Sequence, residues 1–170
     1  MSLLKNGLLQ MKNKAIFLDR DGTINVDYGY VYELKDLVLL PGVIEALQKF
    51  QEVGYLLIIV TNQSGVSRGY FTEEDVKAFN DELKNKLALH SIVITDFFLC
   101  IHSPFDKCSC RKPSPQLINE AILKYNIDPT QSLMFGDKSS DVLCGENAHV
   151  KSYLVTKEHS LLYWANLLNK

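Results

Sequence analysis

The chain has 170 residues, 46% hydrophobic and 22% charged, with 18 basic against 20 acidic side chains; that is the length of one domain and the composition of a folded globule, not of a disordered chain. A net charge of −2 and a pI near 6.1 provide no basic field for a phosphate polymer, so nucleic acid is not an expected partner. The richest apolar run, Tyr55 to Val60, falls far short of the roughly 18 residues of a membrane span, so no membrane role is expected.

Residues 1–12 lack both a sustained apolar stretch and a small-residue cleavage site, so export is not expected and a reducing, cytoplasmic setting is. The first three residues read as a cloning remnant and Met11 as a candidate native start; residues 1–12 are then an extension before a single domain over 13–170. The short apolar run Lys14 to Leu18 breaks into polar Asp19-Arg-Asp21-Gly22-Thr23, the pattern of a buried strand entering a loop. Pro41-Gly42 opens a helical period (Val43, Ile44, Leu47, Phe50, Val53) that Gly54 ends. Tyr55 to Val60 is apolar on both faces, as a strand in a parallel sheet would be, and stops at Thr61-Asn-Gln-Ser. Thr72-Glu-Glu-Asp75 predicts a capped helix through Val76, Phe79, Leu83 and Leu87, followed by a strand near Ile94 to Cys100. A helix from Ser114-Pro115, a strand over Ser132 to Gly136, a short helix over Asp141 to Ala148, a strand over Ser152 to Val155 and a helix over Leu161 to Leu168 complete the chain. Strands alternating with helices predict an α/β fold: an open, mainly parallel sheet with helices on both faces. Ligands of such sheets bind at the C-terminal strand ends, where Asp19-Arg-Asp21, Thr61-Asn62 and Gly136-Asp137 fall.

Three of the four cysteines lie within Cys100-x-His102-x5-Cys108-x-Cys110. Three thiolates and one imidazole are the ligand number and type of a closed, structural Zn2+ site, and the loop between them is too polar for core. Cys144 lies on a predicted helix and reads as core; His90, His149 and His159 read as surface residues. The zinc loop runs directly into Arg111-Lys112, so it is expected to fix the loop that carries them.

Asp19 and Asp21 are two apart past a strand, and two close carboxylates call for a cation between them or a division into acid and base. Thr61 adds a hydroxyl donor, Lys112 a fixed positive charge, and Gly136-Asp137-x3-Asp141 further carboxylates, the set needed to hold a phosphoryl group. In order along the chain these segments resemble the four motifs of the haloacid dehalogenase superfamily of phosphatases, over about residues 14 to 155.

The resemblance implies a Rossmann-like core, here without a separate cap domain, and a two-step transfer through a phosphoaspartyl enzyme. Asp19 would be the nucleophile and Asp21 the acid and then the base, with Thr61 and Lys112 stabilising the phosphoryl group. Mg2+ would be held by Asp19, the Asp21 carbonyl and Asp137. The zinc loop is similar to that of a branch whose members dephosphorylate a heptose 1,7-bisphosphate or histidinol phosphate. Asn25-Val-Asp27-Tyr28-Gly29-Tyr30-Val31, Thr61-Asn62-Gln63-Ser64 with Arg68 beyond, and Gly136-Asp137-Lys138 resemble the heptose enzymes, and within them Asp27, Tyr28, Gly29, Tyr30, Asn62, Gln63, Ser64, Arg68 and Lys138 are the expected substrate contacts, together with Arg111. The five-residue gap between His102 and Cys108 resembles the histidinol-phosphate spacing. Charge favours the bisphosphate, because a second phosphate would use Arg111, Arg68, Ser64 and Lys138, whereas an amine would want acids. The expected partner is thus a small phosphorylated metabolite in carbohydrate and lipopolysaccharide biosynthesis, bound by a monomer. A phospho-acceptor receiver domain and a zinc-stabilised binding module are the competing classes; a kinase is not expected, since no Gly-x4-Gly-Lys-Ser/Thr loop is present.

Overall fold

A computed structural model of the chain describes residues 11–168, so most of the expected 1–12 extension lies outside the described residues. The strands are β1 (Ala15–Leu18), β2 (Leu56–Asn62), β3 (Ile94–Cys100), β4 (Leu133–Gly136) and β5 (Lys151–Leu154); the helices are α1 (Val43–Glu52), α2 (Glu73–Ala88), α3 (Gln116–Lys124), α4 (Ser139–Asn147) and α5 (Leu161–Leu168). All strand pairs are parallel, in the order β3-β2-β1-β4-β5. The order reverses between β1 and β4, which opens a crevice at their C-terminal ends.

Alternation along the strands divides the core in two. Ile16, Leu18, Leu57, Ile59 and Phe135 face one way and pack with Val43, Leu47 and Phe50 of α1, Phe79, Leu83 and Leu87 of α2, and Leu161 of α5. Ala15, Phe17, Ile58, Val60 and Met134 face the other way, onto Leu117, Ile118 and Ala121 of α3 and Cys144 of α4. Both faces are covered, which is why these strands read as unbroken apolar runs.

The predicted elements are all present, with shifts at their ends. β2 continues two residues past the apolar run because Thr61 and Asn62 still pair with Leu99 and Cys100 of β3, so backbone pairing carries the polar Thr61 to the strand tip. The predicted cap of α2 is seen: Thr72 Oγ1 accepts from Asp75 N at 3.1 Å, and Thr72 N donates to Asp75 Oδ2 at 2.8 Å. α4 starts at Ser139, earlier than expected, and short 3-10 turns at Leu34–Asp36 and Pro129–Gln131 were not predicted. Among the described residues no cap domain stands over the strand ends, and none of their helices is long and apolar enough to cross a membrane.

Candidate active site

Asp19 directly follows β1, its N–H donating to Phe135 O of β4 at 2.9 Å, and it is 5% exposed. Two glycines let the other carboxylates come close. A Cβ on Gly22, which has φ +85°, would overlap the carboxylate of Asp137, and a Cβ on Gly136 would overlap that of Asp141. Asp19, Asp137 and Asp141 consequently offer oxygens within 4.8 Å of one another.

Lys112 reaches this cluster from the end of the cysteine-rich loop. Its Nζ lies 2.5 Å from Asp19 Oδ1 and 2.7 Å from Asp141 Oδ1, and donates to Val60 O at 2.7 Å. Burial works to lower the Lys112 pKa, but attraction to Asp19 and Asp141 outweighs it, and the ammonium is held above its usual range. Burial pushes the Asp19 carboxyl up to about 7 against the pull of Lys112, with Asp141 and Asp21 adding repulsion. Burial also raises Asp137, helped by Asp141 and opposed by Lys138. One buried ammonium therefore does not neutralise three carboxylates. Asp137 Oδ1 is in addition buried without a hydrogen-bond partner. An orphaned carboxylate oxygen in an under-neutralised, all-oxygen cluster fits a hard divalent cation such as Mg2+.

Asp21 lines the same cavity, but its carboxylate is outside the three-carboxylate group. It accepts from Arg20 Nε and Nη2, Asn25 Nδ2 and Gln63 Nε2, each at 2.9 Å. Gln63 Nε2 also donates to Thr61 Oγ1 at 3.0 Å, which leaves the Thr61 proton free for another acceptor. Asn62 is spent on the Lys112 main chain: its Oδ1 accepts from Lys112 N at 3.1 Å and its Nδ2 donates to Lys112 O at 3.4 Å.

Cys100, His102, Cys108 and Cys110 converge, with ligand atoms within 4.8 Å. The Cys100–Cys108 Sγ separation is 3.8 Å, and His102 Nδ1 lies 3.5 Å and 3.3 Å from the sulfurs of Cys100 and Cys110. Thiolates about 2.3 Å from a tetrahedral Zn2+ would be roughly 3.7 Å apart; the Cys100–Cys110 pair, at 2.9 Å, is tighter than that. Burial pushes the Cys100 thiol up to about 12, so a thiolate there needs a cation. The donor set fits zinc, with the Cys100 and Cys110 sulfurs having to move apart to share the ion. Arg111 Nη1 donates to His102 O at 3.0 Å and thus ties the basic pair to the loop. Cys144 is fully buried, as expected, its thiol facing Ser114 O at 3.1 Å, and His90, His149 and His159 are exposed.

A cavity of about 430 Å3 at the strand ends is lined by Asp19, Asp21, Asp27, Gly29, Tyr30, Thr61, Asn62, Gln63, Ser64, Arg111, Lys112 and Lys138 among others. Lys138 crosses its mouth to Asp27 at 3.3 Å. Two expected contacts do not line it. Tyr28 is 62% exposed beyond the Asp27–Gly29 turn, and Arg68 is exposed where its N–H closes a turn onto Ser64 O. Asn62 and Gln63 line the cavity as expected, with their side-chain nitrogens hydrogen-bonded within the protein. Sequence reasoning did not single out Arg20 or Asn80, or Asp141 as the second partner of Lys112. A wholly buried arginine next to a carboxylate pair has no local signal beyond its place in Asp19-Arg20-Asp21.

A family model described as haloacid dehalogenase-like hydrolase matches residues 24–155. The D-glycero-beta-D-manno-heptose-1,7-bisphosphate 7-phosphatase of Pasteurella multocida is 43% identical over 150 residues, covering 85% of this chain and 82% of that protein. The corresponding alpha-heptose phosphatase of Photorhabdus laumondii is 39% identical over 156 residues, covering 87% and 85%. The crystal structure of D,D-heptose 1,7-bisphosphate phosphatase from B. bronchiseptica, complexed with magnesium and phosphate, superposes with a TM-score of 0.84 at 28% identity, covering 91% of this chain and 97% of that one.

Proposed function

Because this chain belongs to the haloacid dehalogenase-like hydrolase family, we propose that it removes the 7-phosphate of D-glycero-D-manno-heptose 1,7-bisphosphate through a phosphoaspartyl intermediate on Asp19. The observation that carries this reading is the buried Asp19–Lys112–Asp141 ion triad beside the unpartnered Asp137 oxygen, at the floor of a polar cavity. Lys112 holds Asp19 Oδ1, which leaves Oδ2 to attack phosphorus. The ester P–O bond breaks as Asp21 gives its proton to the leaving alkoxide oxygen. Asp21 then takes a proton from the water that attacks the aspartyl phosphate, releasing inorganic phosphate and restoring Asp19. Thr61 donates its free proton to a phosphoryl oxygen. Asp19, Asp137 and the Asp21 carbonyl would hold Mg2+, which would supply the charge neutralisation a phosphate dianion needs to approach carboxylates.

Arg111, Lys138 and Ser64 front the cavity and would take the second, non-reacting phosphate, with Asp27, Gly29 and Tyr30 facing the sugar. Such a product serves heptose activation for lipopolysaccharide in the cytoplasm, where the zinc thiols stay reduced, and a site built within one chain works as a monomer. The test is a steady-state comparison of the heptose bisphosphate, as both anomers, with histidinol phosphate. A larger kcat/KM for the bisphosphate is expected; a larger one for histidinol phosphate overturns the assignment.

Zn2+ on Cys100, His102, Cys108 and Cys110 would cross-link the loop that ends at Lys112. Stripping the zinc, or Cys110→Ser, is expected to lower Tm and to reduce kcat/KM by about 10²-fold, the effect of a displacement on the order of 1 Å at a reacting centre. Zinc content, followed by elemental analysis alongside activity through a chelator titration, checks this. Full activity after zinc loss refutes the coupling.

A further inference from the structure

Arg20 is the bulkiest of the fully buried side chains among the described residues, and the reaction outlined above does not use it. Nε and Nη2 of its guanidinium grip Asp21 Oδ1 and Oδ2, both at 2.9 Å. Nη2 also donates to Val31 O at 2.8 Å and Nη1 to Asn80 Oδ1 at 2.9 Å, while the group lies 4.4 Å from the Phe79 ring centre. Arg20 therefore joins Asp21 to α2, through Phe79 and Asn80, and to the loop at Val31. Buried burden without solvent access makes this a fixed fork, not a surface ion pair.

Asp21 is saturated in this arrangement. A carboxylate has about four lone-pair sites, and each Asp21 oxygen already accepts two bonds: Oδ1 from Arg20 and Asn25, Oδ2 from Arg20 and Gln63. An acidic proton can be loaded only where one donor gives way. The charge-assisted Arg20 bonds are the strongest of the four. Asn25 is fully buried, with its Nδ2 also held by Val26 O at 3.0 Å. Gln63 is the donor that fronts the cavity.

We propose that Arg20 is the positioning residue of the general acid. Its fork, anchored by Asn80, fixes the plane of Asp21 so that the proton passed to the leaving oxygen is carried on Oδ2, in the place vacated by the Gln63 N–H. This role rests on the phosphatase reading of the site. It predicts a dependence on the leaving group, since an alkoxide needs a proton and p-nitrophenolate does not.

The experiment measures kcat/KM for heptose bisphosphate and for p-nitrophenyl phosphate in wild type, Arg20→Lys and Asn80→Ala. Arg20→Lys keeps a charge and removes the fork; it is expected to lose about 10²–10³-fold on the alkyl ester, the scale of general acid catalysis, and under about tenfold on the aryl ester. Asn80→Ala leaves both Arg20 and Asp21 in place, so it is expected to shift the ratio in the same sense by less, and it decides the matter if Arg20→Lys does not fold by circular dichroism. Equal losses on the two esters, or none, overturn the role and leave the phosphatase reading standing. A wild type that hydrolyses neither ester overturns the phosphatase reading and this role with it.

Discussion

Asp19→Asn is expected to reduce kcat by at least about 10⁴-fold, because removing a nucleophile forfeits the whole covalent route. The carboxamide has no anionic oxygen to attack phosphorus, and it also offers the metal a weaker ligand. The fold should survive, since Lys112 keeps Asp141 at 2.7 Å and Val60 O at 2.7 Å. Stability gives an independent check. The Asp19 carboxyl is raised in the native state, from 3.8 to about 7, so the native protein binds its proton more tightly than the unfolded chain does. Its contribution to stability is fully present below the unfolded value and is lost as pH rises through the folded one. Without added metal, Asp19→Asn should therefore gain stability relative to wild type between about pH 4 and 7, as followed by Tm across that range. Phosphate release near the wild-type rate would remove Asp19 as nucleophile, and a stability difference flat in pH would remove the burial argument.

Lys112→Met is expected to fail in both activity and stability. Its side chain is 2% exposed and stands between two carboxylates that are nearly as buried. Removing one partner from such a network leaves uncompensated buried charge, a loss of about 3–5 kcal/mol. The loss should grow as pH rises, because Lys112 is the main influence opposing the upward shift of Asp19. Activity should fall by about 10²–10³-fold, the scale of removing one preorganised donor from a developing charge. Urea unfolding at two pH values and kcat on the folded fraction measure the two effects. A variant as stable as wild type would mean that the triad contributes nothing to holding the strand ends together.

Much of the fold was legible because both sheet faces are buried. Runs such as Tyr55 to Val60 had to be covered on two sides, and the helical periods of α1 and α2 supplied the cover on one face while α3 and α4 cover the other. The Cys100, His102, Cys108 and Cys110 cluster was legible because its members fall within eleven residues, where spacing constrains geometry. Asp19, Thr61, Lys112 and Asp137 could be named because each follows an apolar run or a distinctive local segment. Less legible were the residues that act at a distance. Asp141 is four residues past Asp137 in a helix, but its meeting with Lys112 depends on Gly136 leaving room at the start of α4. Arg68 reads as a phosphate donor from its neighbours, yet it is exposed and does not line the cavity.

By itself the sequence determined the parallel α/β architecture, the inventory of acids, base and hydroxyl at the strand ends, and the donor set for zinc, since all of these are written in local pattern and residue type. Only the tertiary structure decided which groups pair. It spent Asn62 on the Lys112 main chain and Gln63 on Asp21 and Thr61, and it enclosed Arg20 beneath Asp21 with Asn80 of α2 as its anchor. The physical reason is that buried hydrogen-bonding groups must be satisfied by whatever the packing of separate elements brings within reach, and no local stretch of sequence specifies that partner.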